Sequence, residues 1–295
     1  MKVGFIGCVD SSRSALQTLL GVDGLTVSAV VTRDQSAVNA DFCDLTDLCY
    51  ENEIPVHLED PKARAESVAF FTSFDLDVIF CIGWSYLLDE SMLALPRIGV
   101  IGFHPASLPN NRGRHPIIWA LALGLKETAS TLFLMDAGAD SGPIASQVPV
   151  PIEDTDNATS LYEKILAVST NQIARLGAEL VEGTATFVEQ EHSQATYWRK
   201  RSRKDGMIDF RMSANVIHNL VRALAPPYPG AEFGFGQKYI SVQKSRIAVE
   251  SYPLNIEPGA VLAKTSNALL VKTAGTEAIW LLDIEYGDIA VGDYL

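Results

Sequence analysis

An α/β domain built on a parallel sheet, followed by a smaller β-rich domain, is the fold that the sequence predicts. Three features point to it. Residues 3–6, 11–20 and 25–31 read strand, helix, strand, the opening of an α/β sheet. Residues 76–82, LDVIFCI, form a continuous apolar run, as a strand buried on both faces requires. Beyond Ala231, short apolar runs alternate with Gly, Pro and Asn, as in KYISVQKSRIAV, GAVLA, NALLVKT and AIWLLDI, which suits a small barrel or sheet. The boundary is expected after Lys204, which gives domains of residues 1–204 and 205–295.

The elements follow in order. In residues 11–20 the helical spacing puts Leu16, Leu19 and Leu20 on one face. The first turn reads GFIGCVD rather than G-x-G-x-x-G, which weakens a dinucleotide-binding reading. Residues 40–52 read as an acidic helix, 54–57 as a short strand, and 61–71 as a helix with Pro61 in its first turn. The 76–82 strand runs into Gly83-Trp84-Ser85-Tyr86-Leu87-Leu88 at a carboxyl end, where open α/β sheets bind ligands. Residues 99–103 form the next strand and deliver His104. Residues 105–113 are too rich in Pro, Asn and Gly for regular structure. A short helix starts at Pro116 and stops at Gly124. Strands at 130–135 and 144–150 flank a loop holding Asp136 and Asp140. A long helix spans 155–181, with Asp154 or Thr155 as its N-cap and Gly183 beyond its end. The basic stretch YWRKRSRK, residues 197–204, reads as a solvated connection, with a phosphate-facing strip as the alternative. A short run at 207–210, a helix at 214–224 and the rigid APPYPG turn lead into the β-rich part.

Composition narrows the function. The chain has 295 residues, 47% of them apolar, and a formal charge of −13. That balance argues against a surface coating nucleic acid, which needs clustered Lys and Arg. Cys8, Cys43, Cys49 and Cys81 have no metal-like spacing, so reduced thiols are expected. The apolar run in MKVGFIGCVD is short for a signal peptide, and no run nears the ~20 residues that span a bilayer. A cytoplasmic protein with no membrane partner is the expectation.

Among the five histidines, only His104 follows a central strand and precedes an irregular loop. An imidazole can accept and return protons at neutral pH. A carboxylate beside it stabilises the protonated ring; Asp140 is the candidate and Asp136 its competitor. No metal-ligand spacing is present, and G-x-S-x-G, the mark of a serine hydrolase, is missing.

The motifs HPASLP beginning at His104, RGR at Arg112–Arg114, PIIW at Pro116 and DAGADSG at Asp136 together resemble the signature of the formyltransferases that use 10-formyltetrahydrofolate. That family includes glycinamide ribonucleotide, methionyl-tRNA and sugar N-formyltransferases. DGMIDF from Asp205, VRAL from Val221 and PYPGA from Pro227 resemble the carboxyl domain of the last two branches. The resemblance covers nearly the whole chain. It implies a Rossmann-like catalytic domain and an OB-like carboxyl domain. It also implies that His104 moves the proton between the attacking amine and the departing N10, with Asp140 supporting it. Tyr86, Leu87 and Leu88 would hold the pterin of the carrier. Arg114 would be a further carrier contact, and Asp136, Ala137, Gly138 and Ala139 would close over it. One position departs from the pattern. The family carries an asparagine two residues before the histidine, whose amide supports the oxyanion; here it is Gly102. Such a donor is worth ~10²–10³ in rate. His104 itself, a backbone N–H, a water, Asn110 or Asn111 would have to replace it. The alternatives are a slow enzyme, or a homologue that binds folate or sugar nucleotide without catalysis.

The acidic balance and the lack of a basic loop after the second strand favour a nucleotide-linked amino sugar as acceptor over methionyl-tRNA. Asn110, Arg112, Asn219, Arg222 and Tyr228 are the expected acceptor contacts. An apolar carboxyl domain suits a homodimer.

Overall fold

The computed structural model describes residues 1–35 and 41–295. Packing divides them into two units. Met1–Gly113, Thr128–Val150 and Glu163–Trp198 form the first; Arg114–Glu127, Pro151–Tyr162 and Arg199–Leu295 form the second. Residues 199–204, expected with the first domain, thus fold with the second.

The first unit carries β1 (Lys2–Ile6), β2 (Thr26–Thr32), β3 (Val56–Leu58), β4 (Val78–Cys81), β5 (Gly99–His104), β6 (Arg112–Gly113), β7 (Glu127–Leu134), β8 (Ile144–Pro151) and β9 (Tyr197–Trp198). Seven of them make one sheet in the order β3-β2-β1-β4-β5-β7-β8, while β6 pairs with β9. The first five strands of that order are parallel. Among the described residues the α-helices are α1 (Asp10–Leu20), α2 (Thr46–Glu51), α3 (Ala65–Thr72), α4 (Glu90–Leu93), α5 (Pro116–Ala122), α6 (Ala158–Glu182) and α7 (Ala214–Ala223).

The fold is the expected Rossmann-like α/β type with one correction: β7 runs antiparallel to β5. A parallel return needs a crossover helix packed on the sheet. The helix in this connection, α5, belongs to the second unit instead.

Alternation along β4 explains the two cores. Val78 and Phe80 pack with Leu16, Leu19, Ile173 and Leu176. Ile79 and Cys81 pack with Ile6, Phe71, Met92 and Val100. Successive strand residues face opposite sides, so a sheet covered on both faces must read as a continuous apolar run.

Three helix starts differ from expectation. The acidic helix begins at Thr46, not 40; residue 40 itself lies outside the described residues. Phe42 bridges to Val9, and the Cys43 amide donates to the Cys8 carbonyl, so this stretch is extended. The helix expected from Pro61 starts at Ala65, because the Asp60 carboxylate accepts from the Lys62 amide and makes a local turn first. At α6 the cap is Asn157, whose side chain accepts from the Ser160 amide at 3.0 Å. Asp154 pairs with Lys126 instead.

In the second unit, β10 (Ala231–Phe235) and β11 (Lys238–Val242) form an antiparallel hairpin. The strands β12 (Lys244–Ile247), β13 (Val261–Lys264), β14 (Ala268–Lys272) and β15 (Ala278–Leu282) form an antiparallel sheet in the order β12-β15-β14-β13. Helix α7 packs on α5, β12 and β15. The β-rich carboxyl part is therefore a sheet and a hairpin. Among the described residues, no helix is long and apolar enough to cross a membrane.

Candidate active site

The site grows from the carboxyl ends of β4 and β5. At β4 the chain passes into residues 83–88 through Gly83, whose φ is +69° and where a Cβ would lie 2.2 Å from Val9. Only glycine takes that turn without strain. At β5 the last residue is His104, 5% exposed.

His104 and Asp140, the pair expected from the sequence, are brought together across 36 residues of chain. The Nδ1 of His104 stands 3.6 Å from Asp140 Oδ2. That is ion-pair range, longer than a direct hydrogen bond. The other ring nitrogen, Nε2, is 2.8 Å from the Asn111 carbonyl oxygen. A carbonyl only accepts, so Nε2 carries the proton. The lone pair of the neutral ring is then on Nδ1, facing the carboxylate.

Asp140 is itself held firmly. Its φ is +54°, and Oδ2 accepts from the Gly113 amide at 2.8 Å. Gly113 needs φ +103° to make that approach, and a Cβ there would lie 2.4 Å from the Trp198 carbonyl oxygen. Asp136 is no competitor for the imidazole: its Oδ1 accepts from the Gly138 amide and the Ser141 hydroxyl.

Sequence reading missed Gln190, which joins the two loops of the site. Its Nε2 donates to the carbonyls of Asp140 (2.9 Å) and Gly142 (2.7 Å). Its Oε1 accepts from Arg112 Nε (3.2 Å) and Nη2 (2.6 Å). Nothing near Gln190 in sequence marks it, because its three partners, Arg112, Asp140 and Gly142, are distant along the chain.

Arg112, expected at the acceptor, is turned inward. It is 1% exposed and bonded to Gln190, to the Tyr197 hydroxyl at 2.8 Å, and to His192 Nδ1 at 3.1 Å. Arg222 and Asn219 are also turned inward, within the second unit. Both are 7% exposed. Arg222 donates to Asn219 Oδ1 (2.9 Å) and to the carbonyls of Glu153 (2.9 Å) and Asp156 (3.0 Å). Burial pulls its guanidinium below the usual value. These three side chains are better read as ties than as ligand contacts. Tyr228 is half-buried, and Asn110 and Arg114 are exposed.

The other expected carrier contacts are accessible. Leu87 is 68% exposed, Tyr86 and Leu88 are half-buried, and Asp136, Ala137, Gly138 and Ala139 are exposed. Leu87 and Leu88 line a small recess with Trp84, Val68, Met92, Glu59, Arg64 and Asp89. Three of its eight lining residues, Glu59, Arg64 and Asp89, are charged. At the departure from the family pattern, a Cβ on Gly102 would lie 2.7 Å from Met135 Cγ and 3.0 Å from Phe133 Cζ. The space an asparagine needs is filled.

Comparison with known proteins agrees with this arrangement. Residues 29–176 match the formyl transferase family model, and residues 200–290 match the formyl transferase C-terminal domain. The bifunctional polymyxin resistance protein ArnA of Wigglesworthia glossinidia brevipalpis is 30% identical over 283 residues, 94% of this chain and 42% of that protein. A methionyl-tRNA formyltransferase of Staphylococcus aureus is 28% identical over 288 residues, 96% of this chain and 91% of that one. The N-formyltransferase from Helicobacter canadensis, solved with folinic acid and dTDP-3-aminofucose, shares the fold with a TM-score of 0.73 at 17% identity, covering 96% of this chain and 99% of that one. Two family models that together run from the second strand to the carboxyl sheet leave one conclusion: the chain belongs to the formyl transferase family of enzymes.

Proposed function

We propose that this enzyme transfers the formyl group of 10-formyltetrahydrofolate to the amine of a nucleotide-linked amino sugar. The observation that carries the reading is the His104–Asp140 pair at 3.6 Å, at the end of a central strand. The carrier supplies the formyl carbon. The residues do the rest. As the acceptor nitrogen bonds to that carbon, His104 Nδ1 takes the proton it sheds. Asp140 stabilises the imidazolium so formed. The same proton then passes to the departing nitrogen as the old carbon–nitrogen bond breaks, and the ring returns to its starting state.

The match to the formyl transferase family and the folinic acid complex of the Helicobacter canadensis protein support the folate part of the proposal. The acceptor part is supported by the −13 charge and by the complex of the Helicobacter canadensis protein with an amino-sugar nucleotide. The test is to incubate the protein with 10-formyltetrahydrofolate and a panel of dTDP- and UDP-linked amino sugars and to weigh the products. Formylation of at least one sugar supports the proposal. Folate binding with no formylated sugar contradicts it.

A second reading, methionyl-tRNA as acceptor, has one observation in its favour: 28% identity across 91% of the Staphylococcus aureus enzyme. It predicts salt-sensitive tRNA binding, and formylation of charged initiator tRNA would decide for it. We propose a soluble, cytoplasmic dimer for either reading.

A further inference from the structure

Arg33 lies just past β2 and is 4% exposed. Its Nη2 is 2.8 Å from Glu59 Oε1, and both side chains are almost fully buried. Ser67 donates to the other Glu59 oxygen. The guanidinium lies 4.1 Å from the ring centre of Tyr86 and 4.7 Å from that of Trp84. A second cation, Arg64, lies 5.2 Å from the Tyr86 ring, and its Nη1 reaches the Leu87 carbonyl oxygen at 3.5 Å. Arg33 Nε is buried and has no hydrogen-bond partner among the described residues.

This arrangement does not suit a purely structural role. A buried ion pair rarely stabilises a fold more than apolar residues of the same volume, and this one also leaves a donor unused. What a planar cation offers, and a lysine or an aliphatic side chain does not, is a flat surface against which aromatic rings are fixed. Trp84 and Leu88 anchor the segment on the core beside Ile79 and Phe71, while Leu87 faces outward and Tyr86 is only half-buried. Between those two anchors the chain is held at Tyr86 and Leu87 by the two arginines.

We propose that Arg33, assisted by Arg64, is a positioning residue that sets the 84–88 segment in the shape that receives the folate carrier. The inference rests on the formyl-transfer reading above. Arg33 acts through Trp84 and Tyr86 and does not touch the carrier. Its contribution shows in carrier binding and not in the chemical step.

The test compares wild type with Arg33→Lys and Arg64→Met. Arg33→Lys keeps the charge beside Glu59 and loses the plane; Arg64 is exposed, so Arg64→Met leaves the core intact. Binding of 5-formyltetrahydrofolate, a stable analogue of the donor, is measured by calorimetry alongside binding of the amino-sugar nucleotide. We expect Arg33→Lys to weaken folate binding and raise the carrier KM about tenfold, as loss of one to two desolvated cation–π contacts implies. Acceptor affinity and kcat at saturating carrier should stay within about twofold. Arg64→Met should weaken folate binding a few-fold and stands as the test if Arg33→Lys does not fold. Wild-type folate affinity in the folded variants overturns the proposal, as does a fall in kcat with KM unchanged. No folate binding by the wild type overturns the functional reading on which it rests.

Discussion

Met135 fills the space that a side chain at Gly102 would need. A Cβ there would stand 2.7 Å from Met135 Cγ and 3.1 Å from its Sδ. Gly102→Asn alone overpacks the strand pair and should destabilise the protein by about 1–3 kcal/mol, with no gain in rate. Gly102→Asn with Met135→Ala opens room for the amide. That double variant should recover the stability and raise kcat by about tenfold or more, since a missing oxyanion donor is worth ~10²–10³. Denaturant titration and steady-state kinetics check the two parts.

Arg112 is buried, and its donors go to Gln190, Tyr197 and His192. Arg112→Ala strands these groups in the interior. Losses of about 2–4 kcal/mol are expected for a buried charged donor of this kind. Activity should fall with folding, while the acceptor KM of the folded fraction stays unchanged. A raised acceptor KM at unchanged stability would restore Arg112 to the acceptor site.

Stability should also depend on pH through two histidines of the second unit. His115 Nε2 is buried with no hydrogen-bond partner among the described residues; burial and then the charges of Arg114, Arg201 and Lys200 hold its pKa below the ordinary value. Burial and then Arg222 do the same to His218, against a smaller opposing pull from Asp154. In the unfolded chain both protonate near pH ~6.5. Just below that pH the unfolded state binds more protons, so stability is full above it and falls as the pH drops towards the folded values. The denaturation midpoint should therefore decline from pH 7.5 to pH 5.5, and the double substitution His115→Gln, His218→Gln should flatten the decline. An unchanged slope in that variant assigns the dependence elsewhere.

Asp47 acts further down the same acid side of the profile. Its carboxyl is lowered to about 2, first by the hydrogen bond from Arg13 and then by that from the Leu48 amide. The Arg13–Asp47 tie between α1 and α2 is at full strength above the ordinary carboxyl range and is lost as pH falls through about 2. Asp47→Asn should remove that part of the acid transition and slightly lower the melting temperature at neutral pH, where the tie is complete, without changing the slope between pH 5.5 and 7.5, as read by thermal melts from pH 2 to 7.5.

The parallel strands and the placement of His104 were legible because a buried strand needs an unbroken apolar run and a turn needs its own residue types. Residues 76–82 and 105–113 carry those signals locally. Other features depend on partners far along the chain. The extended path of Phe42 and Cys43 is imposed by Cys8 and Val9, so the acidic periodicity around them misled. Gln190 binds Arg112, Asp140 and Gly142, and no pattern around it shows this. Arg112 looks like an acceptor contact beside Gly113 and Arg114, and only three-dimensional packing shows where its donors go. The antiparallel β7 depended on which unit α5 joins, which helical spacing does not encode.

The central claim is that His104, supported by Asp140, moves the proton that formyl transfer requires. Single-turnover formation of formylated amino sugar, for wild type, His104→Ala and Asp140→Asn with both ligands saturating, tests it most directly. The account predicts product with the wild type and rates about 10²–10⁴-fold lower in His104→Ala, with Asp140→Asn also impaired and folate still bound by both. Product formed by His104→Ala at the wild-type rate would contradict it.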